Sequence, residues 1–578
     1  MKMKLQFIIA SLIMGSVFLI FSGCQKKVPA DLVLKNGRIV TVDPQRPEAE
    51  ALAIVGNKII AAGKNAEIEA YVGASTKVID LAEKLAIPGF IEGHGHFVSL
   101  GRAKKVLDLT KVKNWDEIVS MVAEAAKQAK PGAWIFGRGW HQEKWNKAPQ
   151  SSVDGVPTHD DLSQVSPNHP VYLTHASGHA SFANAKALQS AGIDASTSDP
   201  SGGTIVRDEL GRPTGLLREN AQDVVEAAIA AYQAQRSPKE IEAEQIEYVR
   251  LAAEEALSEG VTTFHDAGSS FKTIDLFRKL ADEGKLPVRL YVMVRNETND
   301  IMDEKLPAYR LINYGNSFLT VRSIKRQIDG ALGAHGAWLL APYEDMSNSS
   351  GLVLEPVADI TRTCEIAVKH GFQVNTHAIG DRANREVLDI YQKVFQANPD
   401  KKDLRWRIEH AQHLHPDDIP RFTELGVIAS MQGVHATSDG PWVPKRLGEK
   451  RSSEGAYVWR KLWDSKAVVT NGTDVPVEDI SPIASFYATV SRRVADGSAF
   501  YPEQRLTREE ALKSYTLNNA YAAFEEDIKG SLSPGKLADL VVLSADIMAI
   551  PEEEILSTEV LYTIVDGKIV YQNSKSLR

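Results

Sequence analysis

Short apolar runs alternate with stretches of helical periodicity along most of this chain, and both ends break from that rhythm. After a polar stretch from Gln25 to Ala30, the runs 32–34, 38–42 and 51–55 read as short strands. They are punctuated by the turn pairs Asn36-Gly37 and Gly56-Asn57. The C-terminus has the same texture, with strands at 538–543, 560–565 and 568–571 and a turn at Asp566-Gly567. Neither end holds enough strands for a self-standing sandwich. The economical arrangement pairs residues 25–87 with 526–578 in one small β-sandwich domain.

Between the ends, strand-like runs at 260–266, 288–294, 371–377, 404–410, 426–431 and 467–470 alternate with helical segments. One such segment places Val387, Leu388, Ile390, Tyr391, Val394 and Phe395 on one face, a stripe that plain core packing explains. Repeated βα units of this length predict an α/β fold, a (β/α)8 TIM-type barrel over 88–525. The span from about 101 to 220 does not keep the repeat and reads as an insertion after the first barrel strand.

The first residues are a targeting segment. Lys2 and Lys4 precede an apolar run from Leu5 to Phe21, which ends in Ser22-Gly23-Cys24-Gln25. Cys24 after Ser-Gly resembles a bacterial lipobox, which implies a lipoprotein-type signal peptide over 1–24 and a lipid anchor on Cys24. The expected place is the periplasmic face of the envelope. Phe21 stands where lipoboxes usually carry Leu, so ordinary secretion stays open. The 578 residues, 43% apolar and 24% charged, suit a globular enzyme of more than one domain. A net charge of −9 without long basic runs argues against nucleic acid as a partner. Cys24 and Cys364 are the only cysteines, which excludes a disulfide framework and a cysteine-rich zinc site.

Candidate chemistry begins at His94 and His96, which follow the apolar run Leu85, Ala86, Ile87. Residues two apart on a strand share a face, so two imidazoles can converge on one metal ion near the strand end. Further on, Lys325, His377, His410 and Asp474 each end a strand candidate. Barrel active sites collect at those ends. Singly, each also reads as a capped loop histidine, a solvated lysine or an N-capping aspartate. Six in order favour a single site. An ordinary ammonium at Lys325 would repel a metal there.

These residues lie in motifs that resemble the amidohydrolase superfamily, and within it the YtcJ-like branch that includes N-substituted formamide deformylase. The motifs are Pro88 to His96, Gly137-Arg138-Gly139-Trp140, Gly178-His179 with Asn184, Gly260 to Thr263, Asp329-Gly330, His377 to Asn384, Arg407 to Gln412 and Gly472 to Val477. Leu506 to Leu512 and Gly535 to Leu540 recur more widely in the superfamily. The resemblance implies metal binding by His94, His96, His377 and His410, and a carboxylated Lys325 whose carbamate bridges two metals. It implies that Asp474 both binds metal and takes a proton from the attacking water, then returns it to the leaving nitrogen. The cofactor is one or two divalent ions, with zinc suited to such ligands and manganese, iron or cobalt also compatible. His435, Trp140 and His179 are candidate substrate-binding residues, and His141, Trp145 and His175 candidate lid residues. His265-Asp266 reads equally as support behind the ligands or as a structural pair. His175, Ser177 and His335 stand where relatives often carry Arg or Asp, which leaves the substrate's charge open.

The expected activity is metal-dependent hydrolysis of a non-peptide carbon–nitrogen bond in a small amide, formamide or cyclic amide. Deamination of a heterocycle uses the same residues. A non-catalytic binding lipoprotein on a retired barrel predicts lost ligands, whereas every ligand type is present.

Overall fold

A computed structural model describes residues 28–149, 152–153 and 155–574. The expected targeting segment and Cys24 lie outside the described residues. Eight parallel strands curl into a nearly closed barrel: β1 (Phe90–Gly95), β2 (Val261–Ser269), β3 (Arg289–Val294), β4 (Leu319–Gln327), β5 (Gln373–Ala378), β6 (Arg407–His410), β7 (Ile428–Gln432) and β8 (Val469–Gly472). Each pairs with the next in sequence order. All six residues of β3 are buried, as expected of a strand covered on both faces. The helix Asp381–Ala397 turns Val387, Leu388, Ile390, Tyr391 and Val394 inward, as the apolar stripe predicted.

Between β8 and β1 side chains close what no strand ladder does. The Asn519 amide donates to Ile91 O at 2.7 Å and Asn471 O at 2.8 Å, one bond to each side of the seam. The buried Glu92 carboxyl accepts from Thr473 N at 2.7 Å and Thr473 Oγ1 at 3.0 Å. Just beyond, Asp474 N donates to His94 O and His96 N to Val475 O. This lacing holds the segments that bear His94, His96 and Asp474 against each other.

One expectation about this region is corrected. The run Leu85–Pro88 does not carry on into the barrel. It pairs with Arg38–Val40 and Leu540–Leu543 in a sheet built from both chain ends. Gly89 then turns the chain into β1, where a side-chain Cβ would overlap Thr262. The strand that bears His94 is therefore Phe90–Gly95, which the continuous apolar pattern did not separate from its predecessor.

The span between β1 and β2 contains its own six-stranded mixed sheet, ordered Gly203–Arg207, Pro213–Glu219, Ala180–Ala183, Val171–His175, Ile135–Trp140, Leu107–Asp108. Its core includes Leu109, Trp115, Ile118, Trp140, Leu173 and Phe182. The helix Pro238–Ser258, opened by a Ser237–Glu240 capping box, leads back to β2.

Strands from the N-terminal and C-terminal parts of the described chain form two further sheets. A four-stranded one comes from the N-terminal part alone, and a six-stranded one joins Lys568–Gln572, Val560–Val565 and Leu540–Leu543 to Leu85–Pro88, Arg38–Val40 and Glu48–Ala49. Leu34, Leu52 and Ile54 of the first share an apolar cluster with Ile39, Ala86, Leu540 and Ile564 of the second.

Arg289, fully buried at the start of β3, joins this part to the barrel. Its Nε lies 2.7 Å from Asp539, and its Nη2 lies 3.1 Å from Asp539 and 3.1 Å from Asp566. Removing one partner leaves a buried charge uncompensated, which costs about 3–5 kcal/mol. Asp539→Ala should therefore shift the chemical denaturation curve to lower denaturant by roughly that free energy. A loss below about 1 kcal/mol would show that Asp566 and the backbone carbonyls suffice to hold Arg289.

Candidate metal centre

The C-terminal ends of the barrel strands carry the predicted ligands. His94 lies in β1 and His96 just after it, Lys325 in β4, His377 in β5, His410 in β6, and Asp474 two residues past β8. The His410 ring centroid is 4.7 Å from that of His94 and 4.4 Å from that of His377. His94 and His96 rings stand perpendicular at 5.8 Å. Asp474 Oδ1 is 3.2 Å from His96 Nε2 and 3.6 Å from His94 Nε2. Two triads, His94–His96–Asp474 and His410–His435–Asp474, each bring their ligand atoms within 4.8 Å of one another.

The outer ring nitrogens are held by partners that the sequence reading passed over. His94 Nδ1 donates to the Glu409 carboxylate, and His410 Nδ1 lies 2.7 Å from Gln432 Oε1. Glu409 is in turn gripped by Arg407, whose Nε is 2.6 Å from Oε1, with neither side chain exposed. Such partners fix which nitrogen faces inward and raise its basicity.

Four buried atoms are then left without a hydrogen-bond partner: Nε2 of His94, His377 and His435, and Oδ1 of Asp474. Orphaned lone pairs are costly in a protein interior. Those of His94, His435 and Asp474 belong to the two triads, whereas His377 Nε2 lies 3.6 Å from Asp329 Oδ1. The nitrogen and oxygen donors of the triads suit zinc, manganese, iron or cobalt. Protonation fits as well. Burial pulls His94 down to about 4 and holds His377 and His410 well below the usual imidazole range. They are neutral, the form that ligates metal. Burial raises the Asp474 carboxyl, but the close approach of His96, 3.2 Å from Oδ1, and the neighbouring imidazoles of His94 and His410 outweigh it, so it stays an anion.

Lys325 is 3% exposed. Burial and the nearby Arg295 push its ammonium down to about 7, against the opposing pull of Glu409 and Asp474. Among the described residues it has no ion-pair partner. A neutral amine at that position is a nucleophile.

A cavity of about 1050 Å³ reaches this cluster, lined at its deep end by His96, Lys325, His377, His410 and Asp474. A smaller lobe of about 60 Å³ lies on the other side, against His435, His141, Leu332 and Trp442. The His435 ring lies nearly parallel to that of His410 at 6.3 Å. His179 lies 5.3 Å from His377 and is steadied by Glu219 through a 2.7 Å contact at Nδ1. Trp140 is placed elsewhere. It is 1% exposed, packs on Trp145 and Phe182 in the insertion's core and donates to Leu173 O at 2.9 Å. An aromatic in a glycine-rich motif gave no sign of which face of its strand it occupied. The His141 and His175 rings lie 4.6 Å apart, tilted by 48°, beside the small lobe, while His335 is drawn off to Asp345 at 3.1 Å. His265 and Asp266 support the site from behind: His265 Nδ1 is 3.2 Å from Arg407, and Asp266 accepts from Phe97 N just after His96.

The residues missed had two kinds of signal. Glu409 sits beside a predicted ligand, and Arg295 directly follows an apolar strand, so the strand-end rule reaches both. Gln432 and Glu219 meet their histidines only through the fold.

Residues 77–571 match the amidohydrolase family. The chain is 35% identical to Protein LONG AFTER FAR-RED 3 of Arabidopsis thaliana, over 94% of this chain and 92% of that one. It is 27% identical to the N-substituted formamide deformylase of Arthrobacter pascens, over 94% and 99%. Among solved structures it is similar to an uncharacterized metal-dependent hydrolase from Pyrococcus horikoshii, with a TM-score of 0.71 and 28% identity over 90% of this chain and 99% of that one. The matched span contains the whole barrel and every strand-end ligand, and the chain belongs to the amidohydrolase family.

Proposed function

We propose that this protein hydrolyses a non-peptide carbon–nitrogen bond in a small amide, formamide or cyclic amide, using one or two divalent ions, zinc foremost. The observation that carries this reading is the buried triad His94–His96–Asp474 at one end of the barrel, with its ligand atoms within 4.8 Å of one another and Asp474 held as an anion. The named activity of the Arthrobacter pascens relative and the metal dependence of the Pyrococcus horikoshii one support it.

When bound, a divalent cation supplies Lewis acidity towards a carbonyl and lowers the pKa of water. The chain's own residues do the rest. His94, His96, His377 and His410 hold the ion, and Glu409 and Gln432 fix two of the rings. Asp474 accepts a proton at Oδ1 from the attacking water and passes it to the leaving nitrogen. His435 Nε2, buried and unpartnered, donates to the substrate's carbonyl oxygen. His179 lines both lobes and contacts the substrate. Lys325, with its depressed pKa, would add to carbon dioxide as the free amine and release a proton to solvent, and the resulting carbamate would offer anionic oxygen donors to the ions in place of an ammonium.

In this reading residues 25–87 and 526–578 form a small β-sandwich domain beside a barrel at 88–525. The apolar cluster common to both terminal sheets supports that division. The Ser22-Gly23-Cys24 run supports a lipid anchor on Cys24 at the periplasmic face of the envelope.

Two measurements test the chemistry. Asp474→Asn should fold with unchanged circular dichroism and lose about 10²–10⁴ in kcat on a panel of formamides and cyclic amides. A variant as active as the wild type would remove Asp474 from the reaction. Ammonia release scored in the same panel separates hydrolysis of an amide from deamination of a ring. Metal analysis of purified wild type and Lys325→Ala should find two ions falling to one or none. A mutant that keeps two ions would sink the bridging carbamate.

A further inference from the structure

The large cavity and the small lobe meet at a waist where Ser177, His179, His377, His410, Asp474 and Val477 line both. His377 and His410 are candidate ligands, and Asp474 is the proposed base. The Ser177 hydroxyl is taken up by its own turn, 2.8 Å from His175 Nδ1 and accepting from His179 N at 3.1 Å. Among the described residues this leaves His179, from the insertion, as the polar side chain at the waist without an assigned step.

Its ring is held more firmly than lining a wall requires. Glu219, 4% exposed at the end of the strand Pro213–Glu219, places Oε2 2.7 Å from His179 Nδ1. Its backbone N also donates to His179 O at 2.9 Å. Gln222 Nε2 ties the same two segments, 3.2 Å from Gly178 O and 3.2 Å from Glu219 O. Glu219 does this with a left-handed backbone, φ 50°, which costs free energy in a residue with a side chain. Its other oxygen, Oε1, is buried without a hydrogen-bond partner. Two glycines make room for it: a Cβ would stand 2.1 Å from Oε1 at Gly330 and 2.2 Å at Gly336. Backbone strain and an orphaned carboxylate oxygen are features that functional sites retain. A carboxylate on one imidazole nitrogen fixes the tautomer and steadies the ring when the other nitrogen carries a proton. That other nitrogen, Nε2, has no hydrogen-bond partner among the described residues.

The ring's place points to the step it serves. Neighbouring imidazoles run His96, His94, His410, His377, His179, with centroids 5.8, 4.7, 4.4 and 5.3 Å apart. Asp474 reaches the rings from His96 to His410, and His179 stands beyond His377. A bond lying across the waist thus has a carboxylate on one side and an imidazole on the other.

We infer that His179 is a further catalytic residue, positioned by Glu219, that hands the proton from Asp474 on to the leaving nitrogen. As the oxygen of water bonds to the carbonyl carbon, Asp474 takes one proton of that water. His179 Nε2–H protonates the amide nitrogen as the carbon–nitrogen bond breaks and its electron pair stays on nitrogen. The proton on Asp474 then replaces the one His179 gave up, so acid and amine leave with no net change in the protein. Glu219 touches no substrate and acts through the ring. The inference rests on the amide-hydrolysis reading, and the two separate by experiment.

Metal-loaded wild type, His179→Asn and Glu219→Gln are assayed on the formyl and acetyl amides of butylamine and of p-nitroaniline. A strongly basic alkylamine must be protonated to leave, whereas p-nitroaniline departs with little help. On the butylamides kcat should fall about 10²-fold in His179→Asn and roughly tenfold in Glu219→Gln, against less than about threefold on the p-nitroanilides. Metal content and circular dichroism should not change. Equal losses on the two leaving groups, or no loss, overturn the relay and leave amide hydrolysis standing. Bound metal lost from the variants overturns it too, because the ring would then be a prop for His377. Wild type that cleaves neither series removes the amide reading, and the relay with it.

Discussion

The fully buried Arg407–Glu409 pair is the interaction on which both barrel and site depend. Arg407 Nη2 donates to Gly93 O at 2.7 Å on β1 and to Ser430 Oγ at 2.7 Å on β7, while its own strand is β6. One guanidinium thus ties three strands across the barrel interior. The same charge holds the Glu409 carboxylate far below its usual pKa, although burial pushes the other way. Glu409 can then remain an anion in the interior and hold His94 by its Nδ1. A buried ion pair adds little net stability over a well-packed apolar core. Here it fixes the orientation of a ligand, which apolar packing would not do.

The two ends of the barrel are treated in opposite ways. At the N-terminal end charges are matched: Arg289 has Asp539 and Asp566, and Lys529 lies 2.6 Å from Glu525, which also accepts from Thr320. At the C-terminal end Lys325 has no ion-pair partner among the described residues, and the Nε2 atoms of His94, His377 and His435 have no hydrogen-bond partner.

Much of this was legible in the chain. The βα alternation indicated the barrel, and the strand-end rule picked out His94, His96, Lys325, His377, His410 and Asp474, because strand position and side-chain direction are local properties. Trp140 was misplaced because a glycine-rich strand gives no alternation from which to read its faces. The run at Leu85–Pro88 was merged with β1 because two strands in different sheets can be equally apolar, and only the turn at Gly89 separates them.

The sequence by itself determined the fold class, the order of the ligands and the family. These depend on periodicity and on residue types at strand ends, which are written along the chain. The tertiary structure decided which partners steady those ligands and which charges go unpaired. Glu409 meets His94 across 315 positions, and Arg138 meets Pro476 across 338. Contacts at such separation depend on how the barrel closes, and local pattern carries no record of it.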